Sequence, residues 1–533
     1  MAGILQTKDY VHFQILSPKG DCIASFEGSA KAGKAFHGDM VQWDTEKEVC
    51  KLQMRTKHYP LVGVLELASK AKYGITSRGA PMYLFTPCRK EYPFMVVGCS
   101  ERELRTNCLA VVDFDTWDTS VLPRGVLRSL LGPCGDPSTE KKALLMTFNP
   151  YKMPKDLSDP PVSLLTTTRE KCPPLTFNID PEGCKDIDDV LSIKETDSTY
   201  ELWITIADVA EYIDPGSPLD DYASLQAFTA YSAGNAVKPM LPHDYSEGYC
   251  SLLPGTCRYG MSLVLEVDKL HQKTIGKQTW KLTQVENKKQ YDYDTFIEKA
   301  REDAIPIGLL AEVASGILGY DTCDPHKWIE AFMLHYNKSA AKLLRKVGRG
   351  ILRNHTAPNL ETLEYYKSFG IDELSVLANH AAQYCTADDP SPIHYGLSAD
   401  VYCHASSPIR RYADLVNQRV LKDILTSKVT YSTIDILWLN QRQKDMKRYE
   451  RDTFLLSQLQ LSKKGTVNTV IVKRDGQKVK LWIPDWKRLL NWKPGVELPD
   501  TVIPGSKLQL AYFANPSARL WKEKIVFRFE EQI

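Results

Sequence analysis

Asp180-Pro-Glu-Gly-Cys-Lys-Asp186-Ile-Asp188-Asp189 places four aspartates within ten residues. Carboxylates so crowded repel one another, and some hold a proton unless a cation sits among them. Their oxygens are hard donors that suit Mg²⁺ or Mn²⁺. A divalent ion held beside a phosphate is the usual apparatus of phosphodiester hydrolysis. The ordinary alternative is a solvated, Asp-rich turn with Asx-type hydrogen bonds. An EF-hand loop does not fit, because no glycine follows Asp186-Ile-Asp188-Asp189 where such a loop requires one. The cluster by itself leaves the solvated turn and the metal site both open.

The elements that must position these carboxylates are readable on either side. Leu175-Thr-Phe-Asn-Ile179 is an apolar run of strand type. Pro181 and Gly183 then turn the chain. Val190-Leu-Ser-Ile193 and Tyr200-Glu-Leu-Trp-Ile-Thr-Ile-Ala207 read as a hairpin. Ser217-Pro218-Leu-Asp-Asp221 carries a cap, an N1 proline and an acidic first turn, so a helix is expected to run to about Ala230. Residues 303–317 and 326–347 also read as helices. A second chemically suggestive stretch is Tyr402-Cys-His-Ala-Ser-Ser-Pro-Ile-Arg410-Arg411-Tyr412-Ala-Asp-Leu. Ser407-Pro408 predicts a cap and N1 residue, which would put Arg410 in a first helical turn. A guanidinium beside free N–H groups suits a phosphate there; a surface arginine pair is the ordinary alternative. Asn440, Lys444, Lys447 and Arg451 recur at helical spacing, a pattern that more commonly means a solvated face.

Ile179-Asp-Pro-Glu-Gly-Cys-Lys-Asp-Ile-Asp-Asp-Val-Leu191 resembles the catalytic signature of the RNase II/RNase R (RNB) family of exoribonucleases. The Pro, Gly and Cys after its first Asp look most like the eukaryotic Dis3/Rrp44 branch. The stretch from Tyr402 resembles that family's Tyr-x-His-Phe-Thr-Ser-Pro-Ile-Arg-Arg-Tyr-x-Asp-Leu signature, with Ala405-Ser406 in place of Phe-Thr and Gln418 in place of the usual His. Phe228-Thr-Ala-Tyr231, Pro239-Met-Leu-Pro242 and Cys250-Ser-Leu-Leu-Pro-Gly255 resemble three further segments, in the family's order. Glu330 to Leu344 resembles the family's long central helix, and Glu450-Arg451-Asp452 its closing motif. One departure concerns the interval between Tyr291-Asp-Tyr293 and the central helix, which is shorter than in the family. An aromatic that some members place there against the RNA end has no assignable counterpart.

The resemblance implies an α+β multidomain fold. Its parts would be a cold-shock-like OB domain at 1–58, a second at 59–150, a large α/β RNB catalytic domain at 162–460 and an S1-type OB barrel at 463–533. Short alternating runs such as Leu61-Val-Gly-Val-Leu65, Leu109-Ala-Val-Val112 and Gly465-Thr-Val-Asn-Thr-Val-Ile-Val472 suit small barrels. Met153-Pro-Lys-Asp-Leu-Ser-Asp-Pro-Pro161 has linker composition. No PIN nuclease domain is visible. The hydrophobic fraction of 43% and charged fraction of 25% exclude a disordered or membrane-embedded chain. The first residues lack a signal-peptide pattern. Thirteen scattered cysteines without a Cys-x-x-Cys pair fit reduced thiols better than a disulfide framework or a zinc site. These features lead to the expectation of a cytoplasmic protein, with a nuclear location left open. The net charge of +1 does not advertise a nucleic-acid binder, but a neutral total can hide a basic channel beside an acidic site.

The function implied is a Mg²⁺-dependent 3′-to-5′ exoribonuclease, with Mn²⁺ as an alternative ion, acting on single-stranded RNA and releasing nucleoside 5′-monophosphates. Asp180, Asp186, Asp188 and Asp189 are expected to hold the metal, with Asp186, Asp188 and Arg410 catalytic. Tyr231, Tyr402, Arg410 and Glu450 are expected against RNA, Tyr231 by stacking, which tolerates any base. A catalytically inactive RNA-binding protein of the same fold is the alternative. A monomer without membrane attachment is expected, and an RNA-decay complex as partner is left open.

Overall fold

A computed structural model describes residues 2–529 apart from 18–19, 57–58, 102–104, 156–168, 372–373, 375–377, 379, 430–434, 462–463, 516–517 and 519–524. The linker expected at 153–161 lies largely outside the described residues, as do the boundary positions 58, 162 and 463. The chain divides into two compact units, Met1–Pro150 with Lys447–Ile533, and Tyr151–Met446. Among the described residues no helix is long and apolar enough to cross a membrane.

The first unit holds three five-stranded modules, as expected for OB-type domains. Strands β1 (Ala2–Thr7), β2 (His12–Leu16), β3 (Cys22–Glu27), β4 (Met40–Asp44) and β5 (Val49–Met54) form a sheet of order β3-β2-β1-β4-β5. Alternation along β1 and β2 sends Leu5, Phe13 and Ile15 inward. Gly33 sits at φ +60°, and a Cβ there would lie 1.8 Å from the Cys50 carbonyl oxygen, so no other residue fits. Strands β6 (Leu61–Leu65), β7 (Met82–Pro87), β8 (Met95–Gly98), β9 (Cys108–Phe114) and β10 (Arg124–Pro133) close into a barrel around Leu65, Phe85, Met95 and Val112.

Helix α1 (Pro137–Phe148), which the strand-rich expectation for 59–150 did not include, follows that barrel. Its start is capped: Asp136 Oδ2 accepts the Thr139 N–H at 2.8 Å, Pro137 takes the first helical position, and Glu140 Oε1 accepts the Gly135 N–H at 2.8 Å.

The second unit is built on a seven-stranded sheet. Its strands are β11 (Glu170–Lys171), β12 (Leu175–Asp180), β13 (Asp189–Glu195), β14 (Thr199–Ala207), β17 (Cys257–Asp268), β18 (Ile275–Glu286) and β19 (Lys289–Asp292), in the order β11-β18-β17-β14-β13-β12-β19. The hairpin β15 (Ala230–Ser232) and β16 (Asn235–Lys238) lies outside that sheet, as does the pair β20 (Ile351–Asn354) and β21 (Gln383–Thr386). Neighbours are antiparallel except at the two flanks, where β11 runs parallel to β18 and β12 parallel to β19.

One face of the sheet carries Phe177, Ile179, Leu191, Ile204 and Leu263, which join one core with Phe296, Leu310, Phe332 and Tyr336. Those last residues come from α3 (Phe296–Glu302), α4 (Ile307–Leu318) and α5 (Pro325–Val347). The opposite pleat carries buried hydroxyls bonded across strands: Thr176 to Ser192 at 2.7 Å, Thr205 to Ser262 at 2.7 Å, and Ser262 to Thr283 at 2.8 Å. Period-two alternation thus splits one strand between an oily face and a polar one.

Two helix expectations change. Helix α2 (Pro218–Gln226) stops short of Ala230 because Ala227 turns left-handed at φ +58° and frees the chain to enter β15. The 303–317 segment is helical only from Ile307, where α4 begins, because the chain leaves α3 at Glu302 and turns through Ala304, which is also left-handed. Strands β22 (Lys464–Asp475), β23 (Lys478–Ile483), β24 (Arg488–Trp492), β25 (Lys507–Ala514) and β26 (Ile525–Phe529) form the third module of the first unit, around Ile471, Leu481 and Leu510.

Candidate active site

The aspartate loop leaves β12 at Asp180 and returns to the sheet at Asp189, the first residue of the antiparallel neighbour β13. Between them the chain turns at Gly183, which sits at φ +77°, with the Cys184 N–H on the Pro181 carbonyl at 3.1 Å. Three side contacts hold the turn. Gln290 on β19 donates to the Cys184 carbonyl at 3.0 Å. Ser251 donates its hydroxyl to the Lys185 carbonyl at 2.6 Å and accepts the Ile187 N–H at 2.9 Å. The Leu252 N–H bonds the Ile187 carbonyl at 3.0 Å. Ile187 itself is fully buried, so it anchors the loop between two aspartates.

All four aspartates line one cavity of about 900 Å³, together with Tyr231, Tyr293, Glu330, Tyr402, Arg410 and Arg411. Asp188 is buried; its Oδ1 accepts the Ile409 N–H at 3.0 Å and its Oδ2 the Arg410 Nε–H at 3.2 Å. Burial pushes its carboxyl up to about 7, against the opposing pull of Arg410. Burial also raises Asp189 well above the usual carboxylate range, and the charges of Asp180 and Asp188 push it further. Asp180 is raised by burial as well, with Asn178 and Arg410 opposing. Like charges gathered in a poorly solvated wall therefore oppose their own ionisation, and a divalent cation among them would offset that cost. The donor set, all carboxylate oxygen, fits Mg²⁺ or Mn²⁺. Among the described residues, no three His, Cys, Asp or Glu side chains close on one point as a formed metal cage.

Arg410 does not lie in a helical turn, contrary to the sequence expectation. The helix begins at Tyr412, and residues 408–410 form the turn before it. The reason is Asp414, whose Oδ1 accepts the Ser407 N–H at 2.8 Å while the same carboxylate takes the Arg411 guanidinium at 2.7 and 2.9 Å. Arg411 is thereby held extended, bridged to Phe228. Ser407 serves Arg410 instead of a cap, accepting its Nη2–H at 3.2 Å. The Arg410 side chain is 48% exposed, so its free N–H groups face the cavity rather than protein partners.

The bridge at Phe228, with the Thr229 N–H on the Arg410 carbonyl at 3.0 Å, brings β15 beside the arginine. Tyr231 on β15 is half-buried and donates its hydroxyl to Asp186 Oδ2 at 3.3 Å. Tyr402 lines the cavity and accepts from Asn337 Nδ2 at 3.2 Å. Glu450 is exposed on the helix Ile436–Leu461 and belongs to the other compact unit. Of the face expected on that helix, Asn440 is taken up by both polar backbone groups of Tyr384, while Lys444 and Lys447 are solvated.

The two departures in the second signature are structural. Asn337 on α5 clasps Ala405-Ser406, accepting the Ala405 N–H at 2.8 Å and donating to Ser406 Oγ at 3.1 Å. Gln418 is buried, accepts the Ala210 N–H at 3.0 Å and donates to the Ala207 carbonyl at 2.7 Å. Ser406 still lines the cavity, as does Asn337, whereas Gln418 does not.

Tyr293 and Glu330 are among the cavity residues that the sequence reading did not assign to the site. Tyr293 stacks on His326 with ring centroids 3.9 Å apart and planes 13° from parallel, and it supplies an aromatic wall at the start of the short interval. The nearby charges of Asp189 and Asp180 add to the burial that raises its hydroxyl. Glu330 on α5 also reaches the lining. The available signal was the tyrosine pair around Asp292, placed directly after a strand.

The RNB domain family matches residues 168–306 and 301–427, and the Dis3-like cold-shock domain 2 (CSD2) family matches residues 82–149. The chain is 27% identical over 431 residues to Exosome complex exonuclease RRP44 homolog A of Arabidopsis thaliana, covering 65% of this chain and 46% of that protein. It spans about half the length of the curated relatives it matches. Among solved structures it resembles Mycoplasma genitalium RNase R in complex with ribose methylated single-stranded RNA, with a TM-score of 0.79 and 17% identity over 99% of this chain and 100% of that one. It also resembles yeast Ssd1, a pseudonuclease, with a TM-score of 0.66 and 16% identity over 92% of this chain and 78% of that one. At these identities the two structures show the fold.

Proposed function

The chain belongs to the RNB family, and from that premise we propose that it is a Mg²⁺-dependent 3′-to-5′ exoribonuclease, hydrolysing single-stranded RNA to nucleoside 5′-monophosphates. The observation that carries this reading is the gathering of Asp180, Asp186, Asp188 and Asp189 around one cavity that Arg410 also enters. The four aspartates would hold one or two divalent ions. When bound, such ions supply charge neutralisation at the phosphate and a nucleophile at neutral pH.

The chain's own residues do the rest. Arg410 keeps a planar array of donors turned toward the cavity, fixed by Asp188 on one side and Ser407 on the other. Such a group is suited to the negative charge that builds on a phosphate oxygen during in-line attack. Tyr231 and the Tyr293–His326 stack offer aromatic faces to terminal nucleotides without choosing among bases. The hydrogen bond from Tyr231 to Asp186 couples the grip on the nucleotide to the position of a ligand.

A second reading is an RNA-binding protein of this fold without hydrolysis, the fold being shared by yeast Ssd1, a pseudonuclease. One experiment separates the two. End-labelled single-stranded RNA is incubated with the protein in Mg²⁺ and in EDTA. Release of mononucleotides only in Mg²⁺ supports the exonuclease. Shifted but intact RNA in both conditions supports the binding protein, and internal fragments would reject an exonucleolytic mode.

A further inference from the structure

Both ends of the aspartate loop are tied to one short segment, Cys250–Leu252. At the far end the tie is Ser251, already described between Lys185 and Ile187. At the near end it is longer. Asn287 is 1% exposed and gives its amide hydrogens to the Leu252 carbonyl at 2.7 Å and to Asn178 Oδ1 at 2.8 Å. Asn178, also 1% exposed, gives its own Nδ2–H to Asp180 Oδ2 at 2.9 Å. The sense of every bond is forced. A carbonyl and a carboxylate can only accept, so the Asn287 amide must turn its NH₂ to Leu252, and Asn178 must turn its NH₂ to Asp180.

We propose that Asn287 and Asn178 are positioning residues, forming a buried two-amide relay that carries the orientation of the Leu252 backbone to the carboxylate of Asp180, occupying Oδ2 and leaving Oδ1 for a cation. The proposal rests on the metal-dependent reading above. It assigns a purpose to two buried amides, one of which a strand interior would not otherwise favour: Asn178 sits in β12 between apolar Phe177 and Ile179, where an unpartnered amide is costly. Partners that orient a metal ligand typically change metal affinity by roughly 10–100-fold when removed.

The test uses the full chain without RNA and reads Mn²⁺ binding by calorimetry, alongside thermal unfolding and the Mg²⁺ dependence of hydrolysis. Asn178→Leu and Asn287→Leu are each expected to weaken Mn²⁺ about 10–100-fold. The double variant should be no weaker than either single one, because cutting a chain at two links loses no more than cutting it at one. Hydrolysis should recover at correspondingly higher Mg²⁺. Where a leucine variant fails to fold, Asn178→Ser fits the same space without reaching Asp180 and is expected to lose at least about tenfold in affinity. Unchanged Mn²⁺ affinity in folded variants, even with a lowered melting temperature, would overturn the relay, as would losses that multiply in the double variant. Native protein that binds no Mn²⁺ would instead bring down the metal-dependent reading, and the relay with it.

Discussion

The carboxylate of Asp188 takes the backbone N–H of Ile409 on one oxygen and the guanidinium of Arg410 on the other, joining stretches 222 residues apart in the chain. One buried acid therefore fixes both the aspartate loop and the cation that faces the cavity. Its own ionisation is opposed by burial, so the pairing with Arg410 and the expected metal are what keep it charged.

Asp188→Asn keeps the shape and an acceptor for the Ile409 N–H but removes the charge. Hydrolysis should fall by roughly 10²–10³-fold or more, as for other losses of transition-state electrostatics. RNA retention on a filter should persist. The melting temperature should hold or fall modestly, because Arg410 loses its partner but is half exposed to water. Degradation at the parental rate would reject the assigned site.

Arg410→Lys tests geometry rather than charge. An ammonium cannot reach Asp188 Oδ2 and Ser407 Oγ together while leaving donors for a phosphate. Single-turnover hydrolysis should drop by about 10²-fold or more. A lysine variant within twofold of the parent would show that a point charge suffices.

The strand before the aspartates and the hairpin after them were legible because an apolar run and a polar turn announce themselves locally. The four aspartates line one cavity, an outcome their spacing by itself leaves open against a solvated turn. Arg410 was misplaced because Ser407-Pro408 is a valid helix start until Asp414, seven residues on, captures the Ser407 N–H; local pattern does not show which acceptor wins. Helix α1 was missed although Asp136, Pro137 and Glu140 carried its signal. The Asn178–Asn287 bond spans 109 residues, and no single-sequence pattern links two such amides. Tyr293 was visible as a residue but not as a wall, since its stack on His326 depends on where α5 begins.

Gln418 is expected to be a structural residue. Gln418→Leu would strand the Ala210 N–H and the Ala207 carbonyl, at about 1–3 kcal/mol for each buried group left unpaired. Thermal unfolding should report that loss. Gln418→His, the residue usual in the family signature, should hydrolyse RNA within about twofold of the parent below both transitions, since structural positions away from the chemistry leave its barrier alone. A gain above tenfold would show that the position governs chemistry.

Two buried histidines should weaken the fold in acid. His394 is 8% exposed and is pushed down to about 4 by burial, with His355 and Arg353 adding to the effect. His335 is pushed down to about 4 by burial, then by Lys342 and Lys338. An unfolded histidine titrates near 6.5, so between that value and about 4 the unfolded chain binds the proton that the folded chain refuses. The histidine contribution is then constant above about pH 6.5 and falls with acid, at no more than about 1.4 kcal/mol per pH unit for each histidine, while the raised carboxyl of Asp188 contributes with the opposite sign in the same window. Denaturant midpoints measured across that window should show a shallower slope for His394→Gln. An unaltered slope would mean that His394 is protonated as easily folded as unfolded.

Strand β12 ends in Asp180, and its outer neighbour β19 has only four residues. That short ribbon is what keeps Leu175-Thr-Phe-Asn-Ile179 from being a bare, sticky margin of the sheet, open to pairing with another molecule. Damage to Lys289–Asp292 would therefore show first as self-association and poor yield, with the chemistry lost only as a consequence.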